Sequence, residues 1–390
     1  MRVLHIVTLI SPEGSYGGPV RVAVNSCGEL RRQGWNAELA AGWGSPASPP
    51  VTWESVPARL FPVSRVAGRS GFRFLVSPAL LRWLWRHVRD YDVLHVHAAR
   101  ELIPLLAMAV AVVRGVPFVT QTHGMIMPDA RLAVRLLDRL ATRPLLRRAQ
   151  RHLALTDAER AGLSAVLSGA GGAATPASMP TVVLLGNGVQ PQQHPTALPQ
   201  SADIPALVVF CARLHPRKRV LAFADMAGML LDRGYDADFI VAGPDEGELP
   251  ELRRRLAARC DGRLRYVGAL EHEQVLELLA GATVYVLPSV DEPYPMSLLE
   301  ALSLGVPSVC TSSCGVAHLL ARHGAGVVSD PKPANLADAV ALLLDDDVRR
   351  SGLARAGRTL VEDVLSLTAV VGTLREIYAT VIDPGLPVRV

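Results

Sequence analysis

Between Val284 and Val309 the chain reads VYVLPSVDEPYPMSLLEALSLGVPSV, an order of residues that few folds accommodate. Val284 to Leu287 is a β-branched and aromatic run that stops at Pro288, the pattern of a short buried strand. Val290 to Pro295 holds two carboxylates, Asp291 and Glu292, and two prolines, which makes it a loop. A helix is expected from about Met296, with Met296, Leu299 and Leu302 on one face and Gly305 and Pro307 to stop it. Pro295 fits the first helical position, where its fixed φ suits the helix and its missing N–H has no partner to lose. Strand, loop and helix N-terminus in that order place free N–H groups at the carboxyl end of a strand. That is where an open α/β sheet binds anions.

The carboxylates narrow the ligand. Glu292 precedes the helix, and Glu300, eight residues on, lies just past its first turn. First-turn N–H groups take phosphate oxygens, while a carboxylate accepts two hydrogen bonds and suits a vicinal diol. Anion donors between two diol acceptors describe a sugar joined through diphosphate to a nucleoside. The same spacing also suits two acidic residues that merely favour a helix start.

The run E-P-Y-P-M-S-L-L-E-A-L-S-L-G-V-P-S-V resembles the E-x7-E motif of retaining GT-B glycosyltransferases, family 4 (glycosyl transferases group 1). The resemblance implies that Glu292 meets the donor sugar and Glu300 the ribose, with Met296, Ser297 and Leu298 also at the donor. It departs at Pro295, where most members carry glycine, and at His318, where glutamate is common.

At 390 residues the chain suits two domains of ordinary size, and 49% hydrophobic with 19% charged residues describes a folded globular chain. Five cysteines, odd in number and without a CxxC pair, read as reduced thiols of a cytosolic protein. The start, MRVLHIVTLISPEG, reads as a first strand and not a signal peptide, and the apolar run Leu102 to Val113 is too short to span a membrane. Residues 1–160 carry a net charge of +10 and the remainder −6, which points to an anionic partner on the first half.

Gly17 and Gly18 follow the first strand, Val3 to Leu9, and open a helix. They make either a tight turn or a backbone approach to a ligand, and the resemblance places them over the donor diphosphate. Val93 to His97 is a strand ending in His95 and His97 on one face, a geometry open to a metal pair. With no third ligand nearby in sequence, no metal is expected. His123 ends another strand, Phe118 to Gln121, as a solvated loop residue or one facing the crevice; the resemblance implies contact with the donor sugar and phosphate. From Asp129 to Leu153 arginines recur at 131, 135, 139, 143, 147 and 151, a basic stripe bent or broken at Pro144, with Leu132, Leu136, Leu137 and Leu140 opposite. This is either a solvated face or a dock for anionic lipid or polyprenyl phosphate. T-D-A-E-R at residues 156–160 reads as a capping box, and residues 163–180 as a mobile Gly/Ala/Ser-rich stretch.

In the second half Arg213 and Lys218 stand five apart around Pro216. Lys218 is one of only two lysines against 38 arginines, so a compact point charge is expected there. The pair matches the family's R-L-x-x-x-K signature, which implies a grip on the diphosphate, and RYVG with Leu270 resembles the segment flanking the base.

The expected fold is α/β, GT-B, with two doubly wound Rossmann-like domains facing across a cleft. The expected divisions are an acceptor-side domain over 1–189, a linker over 190–205, a nucleotide-sugar domain over 206–365 and a tail over 366–390 that packs back on the first domain. The expected activity is retaining, hexosyltransferase-like glycosyl transfer (EC 2.4) from a nucleotide-diphosphate sugar to a glycan, polyprenyl-linked or small glycoside acceptor, in polysaccharide biosynthesis. His123 and Glu292 are the expected catalytic residues. No cofactor beyond the co-substrate and no nucleic acid are expected; the site is cytoplasmic, peripheral on an anionic inner membrane face. The alternatives are a nucleotide-sugar epimerase and a non-catalytic nucleotide-sugar-binding subunit.

Overall fold

The computed structural model describes residues 1–12, 17–66, 72–169, 181–191, 205–258 and 262–383. Most of the linker expected over 190–205 lies outside them, as do residues 170–180 of the Gly/Ala/Ser-rich stretch and Cys260. The chain divides into two compact units, residues 1–188 with 367 onward, and residues 189–366.

The first unit is built on strands β1 (Arg2–Ile10), β2 (Asn36–Trp43), β3 (Thr52–Trp53), β4 (Val56–Pro62), β5 (Ser64–Arg65), β6 (Leu75–Val76), β7 (Val93–His97), β8 (Phe118–Gln121), β9 (Arg151–Ala154) and β10 (Thr181–Leu184). Eight of them form one sheet in the order β10-β9-β8-β7-β1-β2-β4-β3, parallel except for the antiparallel β3, while β5 and β6 pair with each other. Strands buried on both faces need near-continuous apolar runs, and β1 supplies one. Around the sheet lie α1 (Gly17–Arg32), α2 (Pro78–His87), α3 (Leu102–Arg114), α4 (Leu132–Leu137), α5 (Arg143–Leu146) and α6 (Asp157–Ser168).

The helix expected to break at Pro144 changes winding earlier. Residues 138–142 form a π turn between α4 and α5. Proline lacks the N–H that continues the i→i−4 ladder, and a wider turn just before it absorbs the missing bond. Asp138, buried in this turn, is held by Arg100 at 2.8 Å.

The second unit carries β11 (Ala206–Cys211), β12 (Ala237–Ala242), β13 (Leu264–Gly268), β14 (Val284–Leu287), β15 (Ser308–Thr311) and β16 (Val327–Ser329). All pair in parallel, in the order β13-β12-β11-β14-β15-β16. Its helices are α7 (Val220–Asp232), α8 (Leu249–Ala257), α9 (His272–Ala280), α10 (Met296–Ser303), α11 (Ala317–His323), α12 (Pro333–Asp345) and α13 (Asp347–Leu360). Phe210, Phe223 and Phe239 pack in one core with Leu336 and Val340 of α12, the first ring pair tilted and the second edge-on. Burying each such ring stabilises the unit by about 1.5–3 kcal/mol.

The last helix, α14 (Leu367–Ile382), belongs to the first unit. Leu367, Val371, Leu374, Ile377, Tyr378 and Val381 recur at helical spacing and share a core with Val3 and Val7 of β1 and Cys27 and Leu30 of α1. In each sheet the strand order reverses at one place, between β1 and β7 and between β11 and β14. A doubly wound sheet binds ligands at the carboxyl ends of the strands at such a reversal.

Candidate functional site

In the second unit two loops meet at the reversal. The loop after β11 closes in a tight turn over Pro216–Lys218, and the loop after β14 leads into α10. Val290 N–H donates to Arg217 O at 3.0 Å, which ties the loops together, and Gly315 N–H donates to Glu292 O at 2.8 Å. Gly243, at φ 142, is required by this packing, because a Cβ there would lie 2.0 Å from Ala212 O.

These ties bring Lys218 and Glu292 together across 74 residues of sequence. Nζ lies 2.6 Å from Oε2, and the two residues are 9% and 7% exposed. Arg217 Nε is 3.8 Å from the same oxygen. Arg213 turns elsewhere: it is exposed, and its Nη1 bonds Glu246 Oε1 at 2.7 Å. The loops hold Arg219 at φ 56 and Asp291 at φ 50, a left-handed backbone that costs a non-glycine residue roughly 1–2 kcal/mol. Such residues persist where the surroundings over-determine them, and they cluster at functional sites.

Pro295 is the residue before α10, at φ −81 and ψ 111, and not its first helical residue as its residue type suggests. The one-residue shift matters, since Met296, Ser297 and Leu298 then provide the first-turn N–H groups and none is lost to the proline. Ser297 Oγ is fixed by Tyr285 Oη at 2.7 Å. Glu300 is partly exposed on the next turn, 3.8 Å from His272 Nδ1, and Leu270 is half-buried between β13 and α9.

In the first unit Gly17 and Gly18 open α1, and no atom of the described residues lies within 4 Å of where a Cβ of Gly18 would sit. Residues 13–16 before them lie outside the described residues. His123 follows β8 at φ 50, next to Gly124 at φ 74. The loop is held by Glu159, buried on α6, whose carboxylate accepts from the Thr122 hydroxyl, from Gly124 N–H at 2.6 Å and from Leu155 N–H at 2.8 Å. Thr156 caps α6 through Glu159 N–H, but the Glu159 carboxylate is taken up by the His123 loop and Leu155. The local pattern of a capping box carries no signal of that second role.

His5 is the other residue missed, because it sits inside an apolar strand. The β1–β7 register pairs it with His95, and His97 lies two residues along. His5, His95 and His97 each offer a ring nitrogen, all within 4.8 Å of one another, so the third ligand absent from the neighbouring sequence is present in space. The His95 and His97 rings are stacked at 4.5 Å and 1°. An ion on the in-plane lone pairs of both would have to lie in two parallel planes at once, so His95 and His97 in these ring positions do not ligate one ion together. Burial pushes His5 and His123 down to about 3 and His95 and His97 well below the usual range, so all four are neutral at pH 7.

The arginine series does not form one open stripe. Arg131 pairs with Asp129 at 2.6 Å; Arg143 Nε and Arg147 Nη2 bond Val166 O at 2.8 Å and Leu167 O at 2.6 Å, satisfying carbonyls at the end of α6. Arg135 and Arg139 are exposed and line a pocket of about 780 Å³ with Leu132 and Leu136. Leu132, Leu136 and Leu140 are 79%, 53% and 69% exposed. Among the described residues no helix is long and apolar enough to cross a membrane.

Comparison with known proteins covers both units. Residues 199–360 match the family described as glycosyl transferases group 1, and residues 17–174 match the glycosyl transferase 4-like domain. An alpha-D-kanosaminyltransferase of Streptomyces kanamyceticus is 30% identical over 44% of this chain and 45% of its own length. A GDP-mannose-dependent monoacylated alpha-(1-6)-phosphatidylinositol monomannoside mannosyltransferase of Corynebacterium glutamicum is 26% identical over 47% of this chain and 52% of its own. The chain thus spans about half the length of these relatives. The crystal structure of Anabaena HepE in complex with UDP superposes with a TM-score of 0.75 at 16% identity, covering 97% of this chain and 100% of that one, and so shares its fold.

Proposed function

This chain belongs to the group 1 glycosyltransferases of GT-B fold, and on that premise we propose that it moves a sugar from a nucleoside diphosphate sugar to an acceptor hydroxyl, retaining the anomeric configuration. The observation that carries the reading is the buried Lys218–Glu292 pair beside the N-terminus of α10 at the β11/β14 reversal. It sets one compact cation and one carboxylate where phosphate and sugar hydroxyls of a single ligand meet.

In this reading the Lys218 ammonium exchanges Glu292 for the donor diphosphate, and Glu292, released, accepts from a hydroxyl of the donor sugar. First-turn N–H groups of Met296, Ser297 and Leu298 take phosphate oxygens, Arg213 adds a guanidinium, and Glu300 receives the ribose diol. Leu270 lies by the base, Gly17 and Gly18 cover the diphosphate, and His123 contacts the donor sugar and phosphate. The charge that develops on the leaving diphosphate meets preorganised donors, and stabilisation of that kind supplies most of the acceleration at many such sites. No side chain is placed as a covalent nucleophile. The acceptor hydroxyl attacks from the face the diphosphate leaves, and the departing oxygen takes its proton.

The test is sugar release from a panel of UDP-, GDP- and ADP-sugars, with and without small glycosides and lipid-linked sugars. Release that requires acceptor supports transfer. A change of the donor without acceptor would mean an epimerase, and nucleotide binding without either reaction a binding subunit.

The relatives include a kanosaminyltransferase and a phosphatidylinositol monomannoside mannosyltransferase, and the arginine pocket favours an anionic lipid acceptor. We place the protein in the cytoplasm, on the inner membrane face. Exposed Leu132, Leu136 and Leu140 would enter the headgroup boundary, with Arg135 and Arg139 beside them. Each such arginine contributes about 1 kcal/mol near an anionic leaflet, screened within roughly 10 Å at 0.1 M salt. Sedimentation with anionic vesicles is expected at low salt and lost at high salt, with none on neutral vesicles. Absence of pelleting at low salt would leave a soluble acceptor.

A further inference from the structure

Tyr285 lies in β14 and is fully buried. Alternation along a strand turns Val284 and Val286 into the core that Val208 and Phe210 share, and Tyr285, Val209 and Cys211 to the opposite face. The β11–β14 pairing ends at Val209 and Tyr285, where the two strands part at the reversal. Just past β11, the Ala212 N–H is spent on Ala242 O of β12. Alternation of backbone groups along a parallel strand then turns the Cys211 carbonyl to the β14 side, beyond the last paired residue. A buried carbonyl in that place needs a donor from outside the ladder.

The Tyr285 phenol reaches it. Its Oη lies 3.3 Å from Cys211 O and 2.7 Å from Ser297 Oγ. A carbonyl only accepts, so Tyr285 is the donor to Cys211, and its oxygen can take the Ser297 hydroxyl proton at the same time. Between Tyr285 and Ser297 either hydroxyl can donate, and the link stands in both cases. Burial holds the phenol proton well above its ordinary range, and the nearby Glu300 and Glu292 carboxylates add to the effect, so the group stays protonated. One hydroxyl thus joins the end of β11, where the Lys218 loop starts, to the first turn of α10. A phenylalanine would fill the same space and make neither bond.

We propose that Tyr285 is a positioning residue for the donor diphosphate, setting the spacing between the Lys218 loop and the first-turn N–H groups of α10. This role rests on the function proposed above. The bond from Val290 N–H to Arg217 O ties the outer parts of the two loops, and the Tyr285 hydroxyl ties their roots. A diphosphate has a fixed length, so donors that grip it from two elements bind it best when their separation is set beforehand. Without the hydroxyl every phosphate donor remains, but the gap between them is free to vary. Glu300 and Leu270 lie on the α9–α10 side of that gap, with Glu300 3.8 Å from His272 of α9. A nucleoside alone therefore does not span it.

The test is equilibrium titration of the full chain with UDP, GDP and ADP and with the matching nucleosides. In Tyr285→Phe the affinity for the nucleoside diphosphate that the wild type binds is expected to fall about 3- to 10-fold, the size of an ordinary hydrogen bond. Nucleoside affinity is expected to stay the same. Ser297→Ala cuts the link from the other side while keeping the Ser297 N–H, and is expected to weaken diphosphate binding alone. On a half-buried residue, it reads the same link should Tyr285→Phe fail to fold. The double variant should bind no more weakly than Tyr285→Phe, because both substitutions remove one shared link. Losses that add, or a loss equal for diphosphate and nucleoside, would overturn the proposal. So would a lower thermal stability in Tyr285→Phe with diphosphate affinity unchanged. A wild type that binds no nucleoside diphosphate sinks the proposed function itself, whereas wild-type transfer with an unaffected Tyr285→Phe sinks the positioning role alone.

Discussion

Glu292→Gln is expected to lower turnover on the order of 10²-fold or more while nucleoside diphosphate affinity changes little. The substitution keeps the shape of the side chain and one oxygen acceptor but removes the charge that Lys218 meets at 2.6 Å. Without that charge the site cannot hold an acceptor of the same strength against a sugar hydroxyl whose neighbouring carbon turns cationic in the transition state. In the proposed function the ground-state contacts to the diphosphate come from Lys218, Arg213 and α10, so calorimetry with the free nucleotide should see a modest effect. Near wild-type turnover in a folded Glu292→Gln protein would remove the carboxylate from the chemistry. Lys218→Ala is the complementary case. It leaves the Glu292 carboxylate buried without its partner, a change that typically costs about 3–5 kcal/mol, so lost binding there must be read beside thermal stability.

The first unit is expected to unfold in mild acid well before the second. Burial holds His5 at about 3 and His152 at about 4, and His95 and His97 well below the usual range. In the unfolded chain each takes a proton near pH 6.5, roughly the unperturbed value, while the folded chain refuses it until far lower. Below that pH the unfolded state binds more protons, so stability falls as pH drops, by about 1.4 kcal/mol per unit for each histidine. Four such groups give a slope of about 5 kcal/mol per unit, against a usual domain stability of roughly 5–15 kcal/mol. The described histidines of the second unit, His215, His272, His318 and His323, are exposed. Calorimetry between pH 7.5 and 5 should show one transition sliding steeply down and another nearly still. Two transitions that move in parallel would contradict the buried neutral histidines.

Much of the architecture is legible in the sequence because it is periodic. Apolar runs stopped by Gly and Pro mark the strands of both sheets, and the strand, loop and helix around Glu292 are readable to within a residue. That residue is Pro295: a proline at a helix start reads as part of the helix, but its ψ of 111 keeps it extended. Pairing is what periodicity does not encode. Lys218 and Glu292 carry no local sign that they meet, and Arg213, grouped with Lys218 by spacing, turns to Glu246 instead. His5 and Glu159 are invisible for a related reason: each sits in a segment with an adequate local explanation, a buried strand and a helix start. Only the parallel register of β1 against β7, and the approach of the His123 loop to α6, exposes their second use. The arginine series shows the limit of periodicity itself, since four-residue spacing says which side chains share a face but not which carbonyls consume them.

The membership of α14 in the first unit has a consequence for how the molecule is made. Residues 189–366 form a compact unit that is synthesised before the segment carrying Tyr378. Domains generally fold as they emerge, at roughly 5–20 residues per second. The first unit must therefore wait, with the face formed by Val3, Val7, Cys27 and Leu30 uncovered, while the second is translated. For an interval of about ten to forty seconds at that rate the nascent first unit lacks its last helix. Chaperone binding during synthesis should concentrate on that uncovered face and end when residues 367–382 dock.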